Sequence, residues 1–307
     1  MSDYDLFLPS QGRPVRATVS AIGAALRHLS VNGVALTPGF DRGTPAPFYC
    51  GKVLVPWPNR VRDGRWQYDG RTLQLDITDP ECHTALHGLL CAGEYRPVAR
   101  SRSSITLAAP IRHPNGYPFD LDTAVRYELT ANGLVTTHTV RNTGSSCAPV
   151  AFGAHPFLSI GDVPADELTV TVVGHHHIDV DDQLVPVGTT AVDGTEWDLR
   201  TGRPVADLKL DDCWAVTGET GRGSTHTLRS PDGRCLSLWA DRNFGFLHVF
   251  ITREFPSGGG HITAIALEPM TAQADALNSG VGLRWLPPGG SLAASWALRY
   301  EEAVPVG

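Results

Sequence analysis

Apolar residues in this chain recur at every second position, in short runs cut by glycine and proline, and almost nowhere at helical spacing. Apolar and polar side chains alternate in Leu168-Thr169-Val170-Thr171-Val172, and from Leu292 to Tyr300 the even-numbered positions are apolar. That period sets one face of a strand on a core and turns the other toward polar surroundings. Three tight-turn signals sit between such runs: Asp69-Gly70, Asn132-Gly133 and Asp232-Gly233. Asn-Gly and Asp-Gly accept the positive φ of short hairpin turns, so the flanking runs are expected to pair antiparallel. The 23 Pro and 32 Gly are scattered, and no window of about a dozen residues free of them keeps a helical stripe. The expected class is all-β, a large antiparallel β-sandwich with short helical turns at most. The one linker-like stretch, Ser257-Gly258-Gly259-Gly260, is too short to separate domains and reads as a loop. Residues 1–307 are therefore expected to form a single domain, a length that large sandwiches reach.

Composition narrows the function. Lys and Arg total 25 against 32 Asp and Glu, a formal net charge of −7. Such a chain has no basic footprint for a phosphate backbone, so nucleic acid is not an expected partner. No run approaches the roughly 18 apolar residues of a membrane-spanning helix, so no membrane partner is expected either. The start, Met1-Ser2-Asp3-Tyr4-Asp5, is acidic and lacks the pattern of a secretory signal, which points to the cytoplasm. The six cysteines contain no Cys-x-x-Cys pair and read as reduced, half-buried thiols.

Four polar segments place ionisable groups beside strand-like runs: Pro58-Asn59-Arg60 with Gly64-Arg65-Trp66, Leu86-His87-Gly88, Gly153-Ala154-His155-Pro156-Phe157, and Leu267-Glu268-Pro269-Met270. Asp211-Asp212-Cys213-Trp214 is a fifth. Singly, each has an ordinary structural explanation, such as a hydrogen-bonded core histidine or a turn glutamate. Together they make an acid–base set: a carboxylate base, imidazoles as donors and an arginine to hold hydroxyl oxygens. Cys82, His83, His87 and Cys91 lack the knuckle spacing of a zinc site, so no metal is expected. His175-His176-His177 reads as an exposed loop or strand end. The glycine run at 257–260 lacks the lysine of a phosphate loop.

In order and spacing these segments resemble the aldose 1-epimerase (galactose mutarotase) family, over about residues 15–300. Asn59-Arg60 with Gly64-Arg65-Trp66 is similar to the family's Asn-Arg-x-x-x-Gly-Arg-Phe, Leu86-His87-Gly88 to its Leu-His-Gly, and His155-Pro156 to its second histidine motif. Leu210-Asp211-Asp212-Cys213-Trp214 is similar to a segment with a substrate-binding aspartate. Glu268-Pro269-Met270-Thr271, with Asp275-Ala276 and Asn278, resembles the Glu-Pro-x-Thr signature. The chain departs from that pattern at Met270, where Gln is common, and at Trp214, where Phe is frequent.

The resemblance implies a galactose mutarotase-like supersandwich and an enzyme that interconverts the α and β anomers of a free aldose without a cofactor. Glu268 would be the general base at the anomeric hydroxyl and His155 the general acid at the ring oxygen. Arg60, His87, Asn59 and Asp211 would bind hydroxyls, with a one-residue uncertainty between Asp211 and Asp212. Trp57, Phe157 and Trp214 are candidates for stacking on a sugar face. The expected partner is an aldohexose and the expected assembly a monomer or homodimer.

The chemistry fits such a set independently. Mutarotation removes one proton from oxygen and adds another, with no redox change, so an acid and a base are expected on opposite sides of one ring. To donate near neutral pH, His155 should be largely protonated in the complex with the sugar, which nearby carboxylates would favour. Two other readings remain: a hexose-phosphate 1-epimerase, which needs arginines or lysines at the cleft, and a non-catalytic sugar-binding protein.

Overall fold

Two large antiparallel sheets carry most of the computed structural model, which describes residues 2–10, 12–40, 44–216 and 223–303. The first has nine strands, with Asp120–Thr130, Gly133–Asn142, Ser291–Glu301 and Cys235–Ala240 at its centre. The second has Asp211–Ala215, Phe246–Ser257 and Gly260–Met270 side by side at its centre. One continuous apolar core joins them: Val125, Leu134, Trp296 and Leu298 of the first sheet cluster with Trp214, Leu247, Val249 and Leu267 of the second. A four-stranded sheet from Asp3 to Ala35 and three two-stranded ribbons complete the fold. The β-sandwich expected from the alternation is present. Among the described residues the α-helix is a single turn, Ala276–Ser279, with 3-10 turns at Pro47–Tyr49, Ala165–Glu167 and Val205–Asp207. No helix there is long and apolar enough to cross a membrane.

Alternation explains the burial. In Ser291–Glu301 the side chains of Ala294, Trp296, Leu298 and Tyr300 are buried, as a period of two requires of a strand with one face on the core. The turn signals hold with one shift. At Asp69-Gly70 both residues take positive φ, 49° and 71°, between paired strands Arg65–Tyr68 and Arg71–Gln74. Around Asn132-Gly133 the turn is one residue earlier, because Thr130 already pairs with Gly133. A Cβ on Gly133 would lie 1.9 Å from the Leu298 carbonyl oxygen, so this glycine serves a close strand approach rather than a turn.

The run 257–260, expected as a loop, is a tight hairpin turn. Ser257 pairs with Gly260, and Gly258 and Gly259 take φ of 56° and 83°. Two consecutive left-handed residues suit the twist of the flanking strands, and glycine adopts them without strain. This turn joins Phe246–Ser257 to Gly260–Met270, the hairpin on which the site is built.

Both faces of that hairpin are covered. Leu247, Val249, Ile265 and Leu267 enter the main core. On the other face Ala264, Ala266 and Phe250 pack with Cys50, Phe157 and Phe255 in a separate cluster. Cys50, Cys91, Cys213 and Cys235 are buried, Cys82 is intermediate and Cys147 exposed, all as free thiols.

Candidate active site

Register places three ionisable groups together. His248 lies directly opposite Glu268 across the hairpin and opposite Cys213 on its other side. Asp211 is two residues from Cys213, so it shares that face. Its carboxylate meets the His248 ring, Oδ1 to Nε2, at 2.7 Å. Asp212 points to the opposite face, where its carboxylate contacts His177 Nε2 at 3.0 Å. Of the two adjacent aspartates, Asp211 is the one that lines the cavity. His177 is not a loop residue: it is buried on the strand His176–Val180 and stacks on Trp197 at 3.8 Å.

A second set comes from the ribbon pairing Arg60–Arg62 with Thr84–Leu86. Asn59 and His87, just outside its two strands, both take left-handed φ, 56° and 62°. They clasp each other: His87 N–H donates to the Asn59 carbonyl at 2.9 Å, and Asn59 N–H donates to His87 Nδ1 at 3.2 Å. Nδ1 is therefore an acceptor, and the ring proton of neutral His87 sits on Nε2. Gly88 allows this approach, since a Cβ there would meet the Val55 carbonyl oxygen at 2.1 Å.

Arg60 donates from Nε to Asp79 at 3.1 Å and lies 3.6 Å from Asp211. Its strand is held by Asp275, whose N–H donates to the Arg60 carbonyl at 2.6 Å and whose Oδ1 accepts from Arg62 N–H at 3.0 Å. Asp275, part of the glutamate signature, thus positions the arginine strand, while Asn278 of the same signature donates to the Arg65 carbonyl at 2.9 Å and to Asp275 at 2.8 Å.

His155 follows the short strand Gly153–Ala154, whose Gly153 pairs with Met270. Its backbone is fixed at both ends: N–H donates to the Lys52 carbonyl, and the carbonyl accepts from Gly51 N–H. Nε2 then lies 3.2 Å from Glu268 Oε1. The other polar atom of each, His155 Nδ1 and Glu268 Oε2, is buried without a hydrogen-bond partner among the described residues.

Arg60, Asn59, His87, His155, Asp211, His248 and Glu268 line one cavity of about 410 Å³, within the roughly 300–1,000 Å³ of small-molecule clefts. Phe48, Tyr49 and Phe250 supply its aromatic wall. Burial dominates the charges. It raises the Glu268 carboxyl to about 8, against the opposing pull of His248. It lowers His155 to about 3, with the His248 charge adding to the effect. His87 is pushed well below its ordinary value by burial and by the rings and cations around it. At His248 burial also opposes the charge, but the Asp211 hydrogen bond, Cys213 and the charges of Glu268 and Asp211 prevail and raise it well above. At Asp211 burial is outweighed by His248 and Arg60, which bring it to about 2. The ligand atoms of His87, His155 and Glu268 lie within 4.8 Å of one another. The cationic Arg60 and the raised His248 beside them make that group a poor cation site.

Three expectations need correction. Trp57 is not at the cavity: it is 2% exposed, in the main core, with Nε1 donating to the Ala85 carbonyl at 3.3 Å. Phe157 and Trp214 are buried as well, and the cavity's aromatics come from residues 48, 49 and 250. In the site without sugar, desolvation outweighs the nearby carboxylates and lowers His155 to about 3. His155 and Glu268 are in contact rather than across a groove. His248, Asp79, Phe48, Tyr49 and Phe250 were not anticipated from the sequence; only Asp79, an acid near the His87 motif, carried even a weak signal.

Comparison with known proteins agrees with this architecture. Residues 5–299 match the aldose 1-epimerase family. The chain is similar to the uncharacterised protein YihR of Escherichia coli (strain K12), 29% identical over 281 residues, covering 89% of this chain and 86% of that one. Its fold is similar to the GalM/aldose epimerase homologue from C. elegans, with a TM-score of 0.84, 20% identity and coverage of 99% and 100%. It also matches a galactose 1-epimerase from Lactobacillus acidophilus, with a TM-score of 0.79, 18% identity and coverage of 99% and 100%. With a match over nearly its whole length, and with Asn59-Arg60, His87, His155 and Glu268 gathered at one cavity of a galactose mutarotase-like sandwich, the chain belongs to the aldose 1-epimerase family.

Proposed function

We propose that the protein is an aldose 1-epimerase that opens and recloses the ring of a free aldohexose by acid–base catalysis at His155 and Glu268. The observation that carries this reading is their 3.2 Å contact in a cavity also lined by hydroxyl-binding groups. The anomeric oxygen and the ring oxygen are bonded to the same carbon, so the base for one and the acid for the other need to be neighbours. A pair already in contact suits that demand better than two groups separated by a pyranose.

The proton count is compatible with the same division of labour, with the proton resting on Glu268. Between about 3, for His155, and about 8, for Glu268, the pair holds one proton. A transfer along their contact converts the neutral pair into carboxylate and imidazolium without exchange with solvent. The carboxylate takes the proton of the anomeric hydroxyl, and the imidazolium protonates the ring oxygen. The C1–C2 bond of the open chain rotates, and reclosure runs the two transfers backward. His87 Nε2–H, Asn59 and Arg60 donate to hydroxyl oxygens, and Asp211 accepts from a hydroxyl. One acid or base contributes about 10²–10⁴-fold.

The cavity favours an uncharged sugar over a phosphorylated one. Asp79, Glu81, Asp211 and Glu268 line it, and Arg60 is already engaged by Asp79 and Asp211. Arg62 is turned to Asp181 and Gln183, and Arg65 to Gln74. A binding module without catalysis has no need of a buried acid–base pair. The test is saturation-transfer NMR of anomer exchange across free and phosphorylated aldohexoses. Exchange well above the buffer rate for at least one free sugar is expected. Exchange at the buffer rate for every sugar, or acceleration confined to the phosphorylated ones, would refute the reading.

A further inference from the structure

The buried group that this mechanism leaves unused is His248. It sits at the centre of the site, opposite Glu268 in register, with Cβ atoms of such pairs about 4.5–5.5 Å apart. Its Nε2 meets Asp211 at 2.7 Å. We propose that His248, held by Asp211 as an imidazolium, is a positioning residue for Glu268, supplying the counter-charge beside which that buried carboxylate ionises.

Three observations support the assignment. The first is the need: Glu268 is 1% exposed and one of its oxygens has no hydrogen-bond partner among the described residues, so an isolated negative charge there is costly. The second is the geometry: His248 stands between two carboxylates, Asp211 on one neighbouring strand and Glu268 on the other. The third is the lack of a substitute. Arg60 is occupied by Asp79 and Asp211, His87 is held neutral by burial, and His155, also neutral at rest, becomes cationic only through the transfer that ionises Glu268. The thiols facing this cluster stay neutral too, Cys91 pushed up to about 12 and Cys213 raised, both by burial. Lys52, whose charge bears on His87 and His155, stands over the Tyr49 ring, and the Asn59 amide nitrogen lies 3.5 Å from His248 Nδ1. That is at the outer limit of a hydrogen bond, and the reciprocal role for Nδ1 would require a neutral ring.

The proposal rests on the mutarotase reading for its kinetic consequence and not for its charge state, so the two are tested separately. Nitrogen-15 NMR of the histidine rings in the wild-type protein reads the charge directly. At pH 7 both nitrogens of His248 are expected to be protonated; a neutral ring accepting from Asn59 overturns the proposal whatever the catalytic activity. In H248Q, carbon-13 detection of the Glu268 carboxyl is expected to show its titration displaced upward by about 1–3 pH units, as for loss of an opposite charge nearby. No displacement overturns it. In anomer exchange H248Q is expected to lose at least about tenfold in kcat at pH 7, and its alkaline fall in rate is expected to move to higher pH together with the Glu268 titration. A change in KM alone, with an unaltered pH profile, would reduce His248 to a substrate contact. Should H248Q fail to fold, the wild-type ring spectrum still decides.

Discussion

Glu268 and Trp57 show how little a single residue's neighbours in sequence reveal about its environment. Glu268 precedes a proline, as turn glutamates do, yet it is buried on a central strand and its carboxyl is raised to about 8 by that burial. E268Q is expected to keep the fold and lose at least about 10³-fold in anomer exchange, since a base is removed and the proton shared with His155 is lost. The same residue makes a stability prediction with a definite sign. Above its ordinary value of 4.5 the unfolded chain releases a proton that the folded chain keeps until about 8. Stability owed to this group is therefore present below 4.5 and lost as pH rises through 8. The melting temperature of E268Q should exceed that of the wild type by a margin that grows from about pH 5 to pH 8; a constant margin in calorimetry would contradict the burial argument. Trp57 lies next to the Asn59-Arg60 motif but packs in the core. W57F should cost about 0.5–1.5 kcal/mol in denaturant unfolding, for its lost hydrogen bond, and leave KM unchanged. A raised KM would return the indole to the sugar site.

At the scale of strands and turns, the sequence declared local geometry well and register poorly. His87, His155 and Arg60 were legible because each sits beside a glycine, proline or asparagine that the backbone needs there. His87 takes a left-handed φ and Gly88 packs on Val55. His248 was not legible, because a lone histidine within Phe246–Phe250 has the same local pattern as His138 and His226. Those two are also buried on strands and lowered to about 3 by burial alone. What separates them is the residue opposite. Glu268 and Asp211 face His248 through pairings between segments distant in sequence, whereas His138 Nε2 accepts from Trp296. The glycine run at 257–260 hid the hairpin that creates this pairing, since four small residues carry no alternation. Strand position also governs the arginine. D275A removes the acceptor for Arg62 N–H and Asn278, at a cost of about 1–2 kcal/mol. It should raise KM more than it lowers kcat, because Arg60 moves while His155 and Glu268 stay; an unchanged KM would mean the arginine strand is held by its pairing with Thr84–Leu86 alone.

Across the molecule, the sandwich covers both faces of one hairpin and so buries a carboxylate and three imidazoles, with a half-buried aspartate beside them, around a cavity of about 410 Å³. Alternation in the sequence announced the sandwich. The depth of the site was not announced, because it depends on the layer formed by residues near 48, 59, 87 and 155 over the second sheet. That depth makes His155 neutral and Glu268 hard to ionise, and leaves a single proton between them. The pH dependence of kcat/KM for anomer exchange tests this sharing most directly. A rate that holds through neutrality and falls about tenfold per unit once pH passes about 8 is the expected profile. A rate that keeps rising through pH 9, as for a simple carboxylate base, would contradict a proton held jointly by His155 and Glu268.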